Sequence, residues 1–316
     1  MANCVVCGRR AVYIERSSGY AYCERHFLKL FSRRVRKTMR RYGLFSEKED
    51  IVVAVSGGKD SLSLLHYLHK LAKRVREWRV RALLIDEGIS GYREITKKDF
   101  IKFAEEWGVE YKIASFKDEI GLTLDEMVKR GKELGLPYLP CTYCGVFRRY
   151  LLNKVAREMG ATVLATAHNL DDVIQTYVMN VIVNNLDKLS RLGPKTGVAR
   201  HPKFVPKVKP FYEVLEKEVA LYAVLNGVYP SFVECPYARL GVRWTIREML
   251  NKLEEKHPGI KYFTLRSLLR MISMIKESAE VSGEPKTCKI CGEPSAHDIC
   301  RACQLKIELG LIKKPN

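Results

Sequence analysis

Ile51-Val52-Val53-Ala54-Val55-Ser56-Gly57-Gly58-Lys59-Asp60-Ser61 carries the reading of the fold. Five apolar residues, four of them β-branched, suit a strand buried on both faces, as in a parallel sheet. The glycines that follow allow a tight turn and a close backbone approach to an anion. A helical pattern then runs from Ser61 to Val75. A loop from strand to helix aims the first helical amides at that anion, and Lys59 adds charge. The common P-loop is excluded, because it needs glycine at position 53 and Val53 stands there.

Working outward, Val80–Asp86, Val109–Ser115 and Thr162–His168 also read as buried strands. Helix-length segments, Thr96–Trp107 and Thr123–Leu134 among them, alternate with these strands. The alternation predicts an α/β fold with a doubly wound parallel sheet and ligands at the carboxyl ends of its strands. Residues 186–210 carry Pro194, Pro202, Pro206 and Pro210 and read as a mobile loop. Helices are expected at Val214–Leu225, Val242–Lys256 and Leu265–Glu280, with Gly283-Glu284-Pro285 as a linker.

The chain has 316 residues, 47% hydrophobic and 29% charged, which supports a buried core and excludes wholesale disorder. No apolar run is long enough to span a bilayer and none resembles a signal peptide, so an intracellular, cytoplasmic protein is expected. Lys and Arg total 55 against 36 acidic residues, a net charge of +19 that calls for a polyanionic partner. From Phe27 a helix is expected, with Leu28, Phe31, Val35 and Met39 on its apolar face. Arg33, Arg34, Arg36, Lys37, Arg40 and Arg41 cover the other faces and suit a phosphate backbone.

The ten cysteines sort by spacing. Cys4-x2-Cys7 is followed by Cys23-x2-His26, and Cys288-x2-Cys291 by Cys300-x2-Cys303. Arg10 to Tyr22 read as a hairpin turning at Ser18-Gly19, which returns the second knuckle to the first. Two four-ligand sets in a chain without a secretion signal indicate two tetrahedral, structural Zn2+ sites. The expected units are therefore a zinc module at 1–26, a basic linker helix at 27–48, a catalytic domain at 49–282 and a second zinc module at 283–316.

Ser56-Gly57-Gly58-Lys59-Asp60-Ser61 after an apolar strand resembles the signature of the PP-loop ATP pyrophosphatases. Ala167-His168-Asn169-Leu170-Asp171-Asp172 and Pro140-Cys141-Thr142-Tyr143-Cys144-Gly145-Val146-Phe147-Arg148-Arg149 look like blocks of the PP-loop tRNA thiolases. With both terminal modules and Glu234-Cys235-Pro236-Tyr237-Ala238, the similarity covers nearly the whole chain. It points to the tRNA 2-thiouridine synthetases that act on the T-loop 5-methyluridine at position 54, while the wobble-uridine thiolases acting at position 34 share much of the pattern. A zinc-bearing RNA-binding protein with a vestigial nucleotide site is the alternative. Lys59, Asp60 and the three spare cysteines speak against it.

Cys141, Cys144 and Cys235 remain outside the zinc sets, and three readings stay open for them: a cluster, a persulfide relay, or buried thiols. The family resemblance implies a [4Fe–4S] cluster with one iron lacking a protein ligand. The expected chemistry is ATP-dependent adenylation of the uracil C2 oxygen, then displacement by sulfur. Ser56, Gly57, Gly58, Lys59 and Ser61 are assigned to the phosphates of ATP. Asp60, Asp171 or Asp172 would hold Mg2+, although the last two could simply cap a helix. Ala54 and Ile85 should border adenine and ribose, and Arg148 should steady AMP or the developing charge. Lys59, Asp60, Asp172, Cys141, Cys144 and Cys235 form the expected catalytic set. The expected partners are tRNA, a second copy of the chain in a homodimer and, from the resemblance, a ubiquitin-like sulfur carrier with a C-terminal thiocarboxylate.

Overall fold

The computed structural model describes residues 2–185, 188–189, 192–196, 201–278 and 286–314. A six-stranded sheet organises it. Strands β3 (Glu49–Ala54), β4 (Trp78–Asp86), β5 (Tyr111–Ser115) and β6 (Val163–Thr166) form its centre, with β7 (Lys195–Thr196) and β8 (Lys207–Val208) at one edge. The order is β5-β4-β3-β6-β8-β7, parallel throughout except for β7 against β8. The chain leaves β3 towards β5 and returns on the other side at β6. The crevice for a ligand therefore opens between the carboxyl ends of β3 and β6.

Alternation along β3 sends side chains into two cores. Ile51 and Val53 face α1 (Glu24–Arg41), α2 (Lys59–Ala72) and α3 (Arg93–Trp107). Val52 faces the opposite layer, formed by α4 (Phe116–Ile120), α5 (Leu124–Glu133) and α6 (Pro140–Glu158). A third cluster joins α7 (Leu170–Ile182) to α9 (Arg243–Lys256) and α10 (Ile260–Ser278). Between them, α8 (Glu216–Leu225) adds Val219 and Tyr222 to the first core. Among the described residues no helix is long and apolar enough to cross a membrane.

Several boundaries differ from the sequence reading for local reasons. Strand β3 starts at Glu49, before the apolar run, because the buried Glu49 carboxylate accepts from Ser46 N at 2.7 Å and from the Thr162 hydroxyl. The proline-rich stretch 186–210 is not a plain loop in its described part. Pro206 O accepts from Leu164 N and Pro194 O from Lys209 N, so these prolines sit immediately before β8 and β7, at strand starts where their missing donor costs little. Residues 186–187, 190–191 and 197–200 lie outside the described residues, as do Glu280 and the Gly283-Glu284-Pro285 linker.

The segment read as a basic linker helix is a core helix. Phe27, Phe31 and Val35 of α1 pack with Leu64 and Phe211, and Phe31 stacks on Tyr222 with ring centres 4.4 Å apart. Arg34 also turns inward, ion-paired with Glu15 and Glu218, and Arg41 pairs with Glu213 at 3.1 Å. Only Arg33, Arg36, Lys37 and Arg40 of the six cations remain exposed and unpaired with acids in the described salt bridges. The N-terminal hairpin is β1 (Tyr13–Glu15) and β2 (Tyr20–Tyr22), with Gly19 at φ +75° in the turn. The C-terminal module consists of β9 (Lys286–Thr287), β10 (Pro294–Ser295) and α11 (Arg301–Glu308), and it packs on the α6 layer through Leu305 and Leu309.

Phe31→Ala should therefore destabilise the protein by about 3–5 kcal/mol, as expected for deleting a fully buried ring. Chemical denaturation of the zinc-loaded chain measures it. A change no larger than that of a surface substitution would show that α1 lies outside the core.

Candidate active site

The loop after β3 is held by its own hydroxyls. Ser61 Oγ donates to Gly58 O at 2.9 Å and accepts from Ser56 N at 3.1 Å. Gly57 has φ +84°, and a Cβ there would lie 2.1 Å from the Thr96 carbonyl oxygen, so α3 closes one wall of the loop directly on its backbone. Gly58 caps α2 with extended backbone and no side-chain hydrogen bond, which leaves the first-turn amides to an incoming anion. Lys59 Nζ reaches Asp60 at 3.1 Å and Glu216 at 2.9 Å. Burial works against its charge, yet the two carboxylates push its pKa up.

The carboxylates divide into two roles. Burial pushes Asp60 up to about 6, with Lys59 pulling it down and Asp172 and Glu216 pushing it further up. Asp172 is likewise raised, first by burial. Asp60 Oδ1 is buried without a hydrogen-bond partner. An orphaned carboxylate oxygen facing a second carboxylate is a donor set suited to Mg2+, a hard cation that prefers oxygen. Asp172 also caps its own helix, accepting from Asn169 N at 3.2 Å while its amide donates to the Asn169 side chain. Asp171 is already engaged. One of its oxygens pairs with Lys261 and the other accepts from Glu216 N at 2.8 Å, so it anchors α8 and α10.

On the opposite wall, Pro140 starts α6 at a position where its missing N–H is harmless. Cys141, Cys144 and Arg148 follow at i, i+3 and i+7 on one helix face. Cys235 is brought to them by its own turn: Ala238 N donates to Cys235 O at 2.9 Å, and Tyr237 OH ties the turn to Asp125 at 2.7 Å. Burial pushes the Cys144 thiol up to about 11, with Arg148 pulling it back. Arg148 Nη2 lies 3.0 Å from Cys144 Sγ, and its Nε 2.7 Å from Glu87. Ala54 and Ile85 sit near the carboxyl ends of β3 and β4, with Ile85 buried beneath the crevice.

Other groups at this end were given no role by the sequence, although His168 lies within the block that resembles the thiolases. His168 is held down at about 4 by burial and then by Lys209, Arg243, Arg148 and Lys207, so its imidazole is neutral at pH 7. Burial also lowers Lys207 and Lys209 to about 8. Lys207 opens the short β8 strand and Lys209 follows it, a placement hidden in the proline-rich stretch. Glu87, Arg93 and Glu216 were missed as well, because each is an isolated charge until the fold assembles its partners.

Among the described residues, two groups of donors lie within 4.8 Å of one another: Cys4, Cys7, Cys23, His26 and Cys288, Cys291, Cys300, Cys303. Cys4 Sγ–His26 Nδ1 is 3.4 Å and Cys291 Sγ–Cys300 Sγ 3.6 Å. Tetrahedral Zn2+ with bonds of about 2.3 Å to sulfur spaces its ligands at nearly these separations, so both sets fit the ion. Cys141, Cys144 and Cys235 are not in such a tight set. Their softness, their number and the cationic Arg148 suit a broader iron–sulfur cluster. Away from the crevice, Arg33, Arg36 and Arg40 line a groove of about 680 Å³ with Phe45 and Trp78.

Comparison with known proteins agrees with this arrangement. Residues 27–250 match the model of the PP-loop domain. The chain is 38% identical to the tRNA-5-methyluridine(54) 2-sulfurtransferase of Pyrococcus horikoshii, covering 96% of this chain and 93% of the relative. It is 34% identical to the tRNA 2-thiolation protein NcsA of Haloferax volcanii, covering 96% and 98%. The solved structure of the U34-tRNA thiolase NcsA from Methanococcus maripaludis, with its [4Fe-4S] cluster, superposes with a TM-score of 0.85 at 37% identity, covering 100% and 99% of the two chains.

The Gly57 approach makes a clean test. Gly57→Ala should abolish ATP binding measured by calorimetry while both zinc ions stay bound, because the added methyl collides with Thr96 backbone. Wild-type affinity in this variant would show that the loop does not need its observed path.

Proposed function

The chain belongs to the PP-loop tRNA 2-thiolation family, and from that premise we propose that it is a cytoplasmic, ATP-dependent tRNA sulfurtransferase acting on the 5-methyluridine at position 54. The observation that carries this reading is the convergence of two half-sites at one sheet end. The Lys59–Asp60 loop lies on one wall, and Cys141, Cys144 and Cys235 with Arg148 on the other. Thiolation of the wobble uridine is a second reading, favoured by the chain-long likeness to the U34 thiolase.

The chemistry divides between the walls. A uracil C2 oxygen is a poor leaving group, and its attack on the α-phosphorus of ATP breaks the α–β bond and releases pyrophosphate. Sulfur at the sulfide level then adds to C2, and the C2–O bond breaks so that the oxygen leaves with AMP. Gly57, Gly58 and Ser61 hold the phosphates through backbone amides and a hydroxyl, and Lys59 neutralises them. Asp60 and Asp172 are the carboxylates for Mg2+. Arg148, charged and held by Glu87, steadies the negative charge of the departing AMP. A [4Fe–4S] cluster on the three cysteines would leave one iron free to hold sulfide. The terminal modules would hold Zn2+ and have no open ligand position, so their role is structural. A ubiquitin-like thiocarboxylate carrier is the proposed sulfur source, and a second copy of the chain a proposed partner.

Nucleoside mass spectrometry of mapped tRNA fragments, from cells with and without the protein, tests the reading. Loss of 2-thiouridine from the T-loop supports position 54, loss from the anticodon supports the wobble reading, and no change refutes both. In a purified assay, Lys59→Ala should abolish AMP release and thiolation together. Cys235→Ala should abolish thiolation and lower iron content while ATP binding and both zinc ions survive. Thiouridine formed at the wild-type rate by Cys235→Ala would overturn the role of these cysteines.

The α1 groove offers exposed cations over an aromatic floor, which suits an RNA backbone. Charge reversal at Arg33, Arg36 and Arg40 should weaken tRNA binding and flatten its salt dependence by about one unit of slope per lost phosphate contact. An unchanged slope would mark that groove as ordinary solvated surface.

A further inference from the structure

Between the nucleotide loop and the cysteines runs a continuous chain of charged groups. Arg93 Nη1 donates to Ser56 O at 2.7 Å and approaches Thr96 Oγ1 at 3.1 Å. The Arg93 guanidinium is ion-paired with Glu87, and the side chains of both are at most 2% exposed. The other oxygen of Glu87 holds Arg148 Nε at 2.7 Å, and Arg148 Nη2 reaches Cys144 Sγ.

The backbone around Glu87 is fixed from outside. Glu87 O accepts from Leu124 N at 2.7 Å, and Gly88 N donates to Asp86 Oδ1 at 3.0 Å. A Cβ on Gly88, at φ +66°, would lie 2.6 Å from Thr123. The carboxylate thus has little freedom, and each of its oxygens serves a different arginine. At the loop end, a trans peptide sets its C=O and N–H in opposite directions. Holding the Ser56 carbonyl therefore turns the Gly57 N–H away from Arg93 and presents it as a donor to the nucleotide phosphates.

We propose that Glu87 and Arg93 are positioning residues that lock the two half-sites to each other, with Arg93 orienting the Ser56–Gly57 peptide for phosphate and Glu87 holding Arg148 beside Cys144. Neither residue touches substrate. They act through the loop peptide and through Arg148, and the proposal rests on the sulfurtransferase reading above. A shift of β4 or α3 would be felt at both half-sites, so nucleotide affinity and the electrostatics of the cysteines are set by the same buried pair.

Two variants of the full chain, purified anaerobically, test this: Glu87→Gln, and the double variant Glu87→Gln with Arg93→Met. The double variant removes both buried charges, a replacement that proteins often tolerate, so it remains informative if the single variant fails to fold. Zinc content and melting temperature establish folding. The double variant should bind ATP about tenfold more weakly, the scale of losing a hydrogen bond from a charged donor. Glu87→Gln should shift the reduction potential of the bound iron upward, because it removes negative charge beside Arg148. Both should lower single-turnover thiouridine yield at saturating ATP. Folded variants with wild-type ATP affinity and an unmoved potential would reduce the chain to packing and overturn the proposal. Wild-type protein that makes no thiouridine would instead refute the sulfurtransferase reading, leaving ATP affinity and potential to judge Glu87 and Arg93 independently.

Discussion

The nucleotide loop must pass against the backbone of α3 closer than any side chain allows, and much of the site follows from that approach. With Gly57 seated on Thr96, the start of α3 has to lie beside the end of β3. Strand β4 accommodates this by running nine residues to Asp86, whose two oxygens then accept from Gly88 N and pair with Lys97 of α3. The turn between β4 and α3 is thus hydrogen-bonded from both ends. It delivers Glu87 and Arg93 to a place that solvent scarcely reaches, where an unpaired charge would be costly and a pair is held rigidly.

How much of this was legible depended on distance along the chain. The phosphate loop and the metal knuckles could be read because their chemistry is written at spacings of a few residues. The sheet could be read because apolar runs bury on both faces. Cys235 has no partner at short spacing, and was singled out by counting the thiols left over and by the resemblance of the block around it. Lys207, Lys209, Glu87 and Arg93 left no trace, since a lone charge between prolines or at a strand end looks like any solvated residue until tertiary partners arrive. Arg34 misled for the same reason: in a run of six cations nothing local says that one turns inward to Glu15 and Glu218. Asp171 was grouped with Asp60 and Asp172 from the sequence because only the fold reveals Lys261 beside it.

The large positive charge is also unevenly used. Arg34, Arg81, Arg93 and Lys261 are ion-paired within the structure and contribute little to an external field. Outward cations line one face of α1, at Arg33, Arg36, Lys37 and Arg40, and recur at and just after the end of α2, at Lys70, Lys73, Arg74 and Arg76. The field that a polyanion meets is therefore shaped by position more than by the total.

The N-terminal hairpin reaches further into the molecule than its size suggests. Glu218, on the first turn of α8, is almost wholly buried, and its carboxylate accepts from Tyr13 OH at 2.6 Å and pairs with Arg34, which Glu15 also holds. Two residues earlier on the same turn, Glu216 holds the loop lysine. A cut after residue 26 would sever an ionic network rather than detach an appendage. Modular exchange of this segment between homologues, by recombination or by design, succeeds only if the partners of Glu218 travel with it.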